Sequence, residues 1–253
     1  MNEIEVYTIL DIQRRNLDKQ CSLQSNILKK IKEQLEVELT QNSVAIEGNS
    51  LSVREVEVIL RYGIAVGGKT LREHFEVINH SEAFRFIENI INKNDCLSED
   101  DIKCLHSLVM KNISNDAGSY RNGNVTIPGA KHTPKESIFI NQQMKEFISW
   151  YRGEAQHLHP IERAAKVHIH FVGIHPFSDG NGRISRLLMN YELLKAGFPI
   201  TIIKHENCLE YYKDLDLAHT IGDYRAFEAF IRESIQYSFT RYGDTLGIDL
   251  KQE

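Results

Sequence analysis

The sequence predicts an all-α fold that carries one small β-hairpin. Apolar residues recur at helical spacing through most of the 253 positions. Serines followed three residues later by an acid mark helix starts. Only 5 prolines are present, and no repeat, low-complexity tract or Gly/Ser/Pro-rich linker interrupts the pattern. With 42% hydrophobic and 26% charged residues, a chain of this length can bury a sizeable core. One compact unit is expected, with an N-terminal helical region over 1–65 and a core with C-terminal helices over 66–253.

The first periodic stretch covers 14–40, where Leu17, Leu23, Ile27, Leu28, Ile31, Leu35 and Leu39 stand among charges. A second helix starts at Ser52, whose spacing to Glu55 forms a capping box, with Val53, Val56 and Leu60 on one face. Residues 70–92 read as a third, with Phe75, Ile78, Phe86 and Ile90 as its core candidates. Ser98 and Asp101 open another, through Leu105, Leu108 and Val109. Between Gly118 and Thr133 the pattern changes. Asn122-Gly123 is a turn signal and Val125-Thr126-Ile127 a short β-favouring run closed by Pro128-Gly129, so a hairpin is expected there. Helices resume over 137–152, 160–174 and 184–196, the last stopped by Gly197 and Pro199. Two more fill 205–220 and 223–241.

The chemistry concentrates in His175-Pro176-Phe177-Ser178-Asp179-Gly180-Asn181-Gly182-Arg183 and, three residues on, Arg186. Gly180 and Gly182 allow backbone N–H groups to converge on an anion. The helix that follows turns its positive end to the same place. A phosphate chain is the natural occupant, with Arg183 and Arg186 to neutralise it. Asp179 offers the single carboxylate that a hydrated Mg²⁺ sharing phosphate oxygens requires. His175 titrates where a proton acceptor is useful at neutral pH.

This run resembles the signature of the Fic/DOC family, HPFx[DE]GNGRxxR, at every fixed position. The resemblance implies a helical Fic core with a β-hairpin flap. It implies a protein adenylyltransferase, moving AMP from ATP to a Ser, Thr or Tyr hydroxyl with release of pyrophosphate. His175 would then deprotonate the hydroxyl, and Asp179 would hold Mg²⁺, or Mn²⁺ in its place. Gly180, Asn181 and Gly182 would cradle the α- and β-phosphates, with Arg183 on the β- and Arg186 on the γ-phosphate. Val125, Thr126 and Ile127 resemble a flap that docks the target by strand addition. Tyr211, Tyr212 and His219 resemble the adenine-side helix, with His219 where relatives tend to carry Asn. The C-terminal segment reads as helical, so no winged-helix module is expected.

Far upstream, Ser43-Val44-Ala45-Ile46-Glu47-Gly48-Asn49 is similar to the family's inhibitory motif. The resemblance implies that Glu47 pairs with Arg186 and denies it to the γ-phosphate. An arginine fork accepts one carboxylate or one phosphate, and hardly both. In some relatives the same glutamate supports removal of AMP, so both directions stay open. The rival readings are a family variant that transfers another phosphate-containing group, such as UMP or phosphocholine, and a non-catalytic nucleotide sensor.

Two other patterns lead elsewhere. Gly63–Thr70 satisfies G-x-x-x-x-G-K-[ST], the P-loop pattern, but a P-loop follows a buried strand and Ser52–Tyr62 reads as an amphipathic helix. His157, His159, His168, His170 and His175 crowd together, yet His168 and His170 fall on different faces of one helix and cannot chelate jointly. A net charge of -5 argues against a nucleic-acid partner. The four dispersed cysteines (Cys21, Cys96, Cys104 and Cys208) suit a reduced compartment. With no secretory or membrane-spanning run, a cytoplasmic protein is expected. The expected partner is a target protein, with self-modification and self-association both open.

Overall fold

The computed structural model describes residues 3–20, 25–93 and 96–251. Among these are ten α-helices and no β-strand. They are α1 (Glu3–Gln20), α2 (Ser25–Ala45), α3 (Val53–Tyr62), α4 (Leu71–Asn92), α5 (Glu99–Val109), α6 (Ile140–Arg152), α7 (Pro160–Ile174), α8 (Asn181–Lys195), α9 (Cys208–Ile221) and α10 (Arg225–Leu246). α7 and α8 form the most extensively packed pair. α8 is buried around its whole circumference, with Ile184, Leu187, Leu188 and Tyr191 at 0% exposure, as a helix at the centre of a domain must be. Each such side chain contributes roughly 1.5–3 kcal/mol of burial. Its buried acid is answered: Glu192 accepts from Tyr151 Oη at 2.7 Å and Arg163 Nε at 2.5 Å.

The helix starts follow the capping residues. Ser52, Thr70 and Ser98 each accept from the backbone three residues on while Glu55, Glu73 and Asp101 reach back, closing three capping boxes. Gly197 takes φ 83° beyond α8, and Phe198 N–H returns to the Leu193 carbonyl at 2.9 Å, the expected glycine stop. The Gly63–Thr70 pattern is no P-loop: Gly63 caps the end of α3, Thr70 caps the start of α4, and it is the helix α3 that leads into it.

Four expectations change. The stretch 14–40 is shared between α1 and α2 rather than being one helix, and Ile27 is 41% exposed; Leu23 and Cys21 lie outside the described residues. On α3, Val53 is exposed while Val56 and Ile59 form the buried stripe. On α4 the core side falls on Val77, Phe84, Ile87 and Ile90, leaving Ile78 exposed and Phe75 and Phe86 half-buried. The cause is that α4 is flanked on several sides, by α2, α3, α5 and α8. A single apolar stripe therefore does not describe it.

The hairpin is absent. A two-residue type I′ turn needs positive φ at both central positions, and neither Asn122 nor Gly123 has it. Arg121 organises the segment instead. It is 4% exposed, and its guanidinium donates to the carbonyls of His175 at 2.8 Å, Gly123 at 2.9 Å and Lys135 at 2.7 Å. Its own N–H reaches the Pro176 carbonyl at 3.0 Å. Val125-Thr126-Ile127 thus runs as a loop over the site, fixed at both ends by one side chain.

Arg121→Ala removes three donors to backbone carbonyls and leaves those carbonyls unpaired. The expected cost is on the order of 2–4 kcal/mol, with faster amide exchange over residues 122–136. Hydrogen exchange of the full chain checks this, and unchanged protection there would refute Arg121 as the organiser.

Candidate active site

α7 ends at His175, which adopts φ 52°, ψ 58° and sends its N–H to the Phe171 carbonyl at 3.2 Å. A left-handed histidine is strained, and the chain around it is tied down. Asn181 is 1% exposed; its side chain accepts from Phe177 N–H at 3.0 Å and donates to Phe177 C=O at 2.8 Å. Phe177 is wholly buried and stacks on His106 at 3.7 Å between centroids. His106 accepts from Gly118 N–H at 2.8 Å and donates to the Asp179 carbonyl at 3.1 Å, which fixes one neutral tautomer. The loop is therefore built as a rigid bridge between α7 and α8.

α8 begins at Asn181, three residues before the sequence suggested, with Gly180 at φ 82° as its N-cap. Only Gly180 uses the left-handed region; Gly182 lies within the first helical turn. No described side chain caps this end, so the first N–H groups of α8 remain available to an anion. Gly182 serves close approach: a Cβ there would stand 2.5 Å from Glu47 Oε1 and 3.1 Å from Arg186 Nη1.

The carboxylate of Asp179 accepts from Gly180 N–H at 2.6 Å and Arg183 Nη2 at 3.1 Å on one oxygen, and from Arg72 Nη2 at 3.0 Å on the other. Burial alone would raise its pKa, but Arg183, the Gly180 N–H and Arg72 outweigh burial and hold it below the usual range. Among the described residues no group of three side chains could hold a metal by itself. The donor set fits a Mg²⁺ that takes one carboxylate and completes its shell with water and phosphate oxygens. Arg183 is 1% exposed, and its Nε and Nη1 have no hydrogen-bond partner among the described residues. Such donors lose several interactions unless an anion arrives.

Arg186 is buried at 2% and fully engaged. Nε donates to Ser43 Oγ at 3.0 Å, Nη2 to the Ser43 carbonyl and Glu47 Oε1 at 2.8 Å each, and Nη1 to Tyr211 Oη at 3.5 Å. Glu47 sits in the turn that ends α2, where Gly48 takes φ 96° and Asn49 N–H returns to the Val44 carbonyl. Asn49 is anchored to α4 through the Glu73 carbonyl at 3.1 Å and Glu76 Oε2 at 2.8 Å. All of the upstream motif is thus held against the anion loop.

A cavity of about 460 Å³ joins these parts. His175, Gly182, Arg186 and Glu47 form one wall, Ile127–Ala130 a second, and Tyr211, Tyr212, Leu215 and His219 a third. Asp179, Gly180, Asn181 and Arg183 belong to the loop that carries Gly182 but do not themselves line it, and neither do Val125 and Thr126. At its far side His219 Nε2–H donates to the Ile169 carbonyl at 2.9 Å, and the ring lies 4.5 Å from that of His132. His175 Nδ1 meets the Val172 carbonyl at 3.3 Å. A carbonyl only accepts, so Nδ1 carries the hydrogen and Nε2 is left as the base. Burial lowers the His175 pKa below that of a free imidazole, so the neutral form prevails at pH 7.

Sequence reasoning missed Arg72, His106 and His132, which belong to no local motif and reach the site across 41 to 107 residues of chain; Arg121, in the segment that resembles the family's flap, is the anchor of a loop rather than part of a hairpin. The dense histidines do not gather around a metal. His168 is buried against Ser185 and Tyr211, at 3.0 Å from each hydroxyl, and His170 packs at a tilt against Trp150.

The fold and site together define an all-helical protein built around an uncapped helix end, with a histidine on one side and a buried arginine on the other. Residues 96–193 match the family model described as Fic/DOC family. Over 205 residues the chain is 38% identical to protein adenylyltransferase fic-1 of Caenorhabditis elegans, covering 79% of this chain and 40% of that protein. The solved structure of C. elegans Fic-1 (residues 134–508) superposes with a TM-score of 0.85 at 33% identity, covering 96% of this chain and 73% of that one. A Fic domain-containing signaling protein from Bacteroides thetaiotaomicron gives 0.84 at 26% identity, covering 94% and 99%. The chain belongs to the Fic/DOC family. It spans less than half the length of the curated relatives it matches.

His80 and His168 are both wholly buried near Arg186. Burial first, then the arginine charges, lowers His80 to about 3 and His168 well below 6.5. Unfolded, both titrate near 6.5. The unfolded chain therefore binds more protons below that pH. The stability is fully present above about pH 6.5 and is lost as pH falls toward 4, by a few kcal/mol in order of magnitude. Calorimetry from pH 7 to 4 should show this loss, reduced in a His80→Gln, His168→Gln double variant.

Proposed function

We propose that this chain is a protein adenylyltransferase held in check by Glu47. The observation that carries the reading is the shared cavity, in which Arg186 is claimed by Glu47 while the His175 base and the bare end of α8 stand open. The curated relatives named as protein adenylyltransferases support it.

The substrates are ATP and a protein hydroxyl. The uncapped N–H groups of α8 bind phosphate oxygens, and Arg183 and Arg186 neutralise their charge. Mg²⁺, held by Asp179, supplies further charge neutralisation when bound. The target hydroxyl lies against His175 Nε2, which accepts its proton as the oxygen bonds to the α-phosphorus. The bond from that phosphorus to the bridging oxygen breaks, and pyrophosphate carries the electron pair away. The loop over 124–132 and the apolar wall of α9 position the nucleotide and exclude water. The missing hairpin changes only the manner of target docking: Val125-Thr126-Ile127 offers loop backbone that a target strand can pair with.

Glu47 sets the level of activity. While Arg186 spends Nε and Nη2 on Ser43 and Glu47, Glu47 stands where a γ-phosphate would have to bind it. Glu47→Gly is expected to raise AMP transfer about 10- to 100-fold, the range of one charge-assisted contact recovered. Intact-mass spectrometry with Mg²⁺ and ATP checks this, and equal adduct in wild type and variant would sink the inhibitory role. His175→Ala in the same background should abolish transfer.

The pH profile gives an independent check. The base must be neutral, so activity rises with pH through the His175 pKa. Burial lowers that value and Glu47 partly restores it. The acidic limb of kcat/KM in Glu47→Gly should therefore fall below pH 6.5, and a midpoint above 6.5 would exclude His175 as the titrating base.

A further inference from the structure

Asp179 has two oxygens with different duties. Oδ1 takes the Gly180 N–H at 2.6 Å and Arg183 Nη2 at 3.1 Å, which uses both of its lone pairs inside the loop. Oδ2 is bonded to Arg72 Nη2 at 3.0 Å. It is the oxygen left for a cation, and it is the one a guanidinium covers. Arg72 is 58% exposed and Asp179 46%. Nothing in the packing requires that contact, and an exposed pair of this kind is weak.

The contact is nonetheless directed. Arg72 Nε donates to Glu76 Oε1 at 3.1 Å, one helical turn along α4. Glu76 in turn is fixed by Asn49 Nδ2 at 2.8 Å, from the turn that carries Glu47. The guanidinium is thereby oriented with its Nε on one carboxylate and Nη2 on another.

We propose that Arg72 is a positioning residue that competes with the divalent cation for Asp179 Oδ2 and so sets how strongly metal assists nucleotide binding. The inference rests on the reading of Asp179 as the metal carboxylate. Binding of the metal–nucleotide complex then requires Arg72 to release Oδ2. The released guanidinium stays held by Glu76 at the edge of the site. The structure thus gives the metal end of the site its own occupant, on α4, distinct from Glu47 at the Arg186 end and joined to its turn through Glu76 and Asn49.

The test uses the full chain in a His175→Ala background, so that no turnover intervenes. ATP affinity is measured by calorimetry in excess EDTA and again with ATP held entirely as its Mn²⁺ complex; the readout is the ratio of the two. Arg72→Ala should raise this metal enhancement about three- to tenfold, the scale of freeing Oδ2 from one hydrogen bond. Arg72→Lys, which keeps a charge but loses the planar fork, should raise it as well. An unchanged ratio in Arg72→Ala, with the ratio collapsing in Asp179→Ala, overturns the competition and leaves the metal reading intact. A rise in Arg72→Ala with no rise in Arg72→Lys assigns the effect to charge alone and equally overturns it. An unchanged ratio in Asp179→Ala removes the premise and with it the assignment of Asp179.

Discussion

Arg186 is a full positive charge placed at 2% exposure, and much of the architecture answers to that one group. A guanidinium so deep must have its donors met, because an unpaired buried charge costs several kcal/mol. Ser43 accepts twice, Glu47 once and Tyr211 once. To bring those acceptors there, α2 must end where it does, with its last turn against the start of α8. Gly182 must lack a side chain, since a Cβ would collide with Glu47. Tyr211 must be buried, and His168 must stand behind it as a neutral partner for its hydroxyl. The Ser43–Asn49 turn is thus part of how the charged core is solved.

The anion loop depends on a second constraint, a chain reversal between the two most tightly packed helices. His175 accepts left-handed geometry because Asn181 ties both backbone groups of Phe177, and Phe177 is stacked on His106. Side-chain groups of Asn181 that could contact a ligand are spent on shape. The anion chemistry passes to backbone N–H groups and to Arg183, whose Nε and Nη1 lack hydrogen-bond partners among the described residues and whose Nη1 faces only Glu76 Oε1, at 4.0 Å. Preorganisation of this kind supplies catalytic stabilisation with little rearrangement during reaction.

Much of this was legible in the sequence because it is local. Capping boxes at Ser52 and Ser98, the glycine stop at Gly197 and the spacing from His175 to Arg186 are all settled within a few residues. The rest is settled by distant partners. The hairpin failed because Arg121, bonded to His175 and Lys135, provides the segment's backbone partners in place of a strand ladder. The core side of α4 was misread because helices pack on several of its faces. Arg72, His106 and His132 carry no motif, and only tertiary structure brings them to the site. Gly182 was recognised as necessary, but for backbone freedom rather than for the approach of Glu47.

The same contacts indicate how the proposed inhibition would be released. Glu47 is 30% exposed while Arg186 is 2% exposed, so the pair is unequal. Glu47 loses little hydration in its place and would regain water readily on leaving. Arg186 cannot follow it into solvent. A γ-phosphate entering the cavity offers Arg186 a stronger, doubly charged acceptor in the same direction, while Ser43 keeps its own two contacts. Exchange of Glu47 for phosphate therefore leaves the buried charge paired throughout and requires no opening of the core. The Glu47 turn is held mainly by Asn49 on Glu73 and on Glu76, the carboxylate that also orients Arg72. Those contacts, more than the Glu47 ion pair itself, set how easily the turn withdraws.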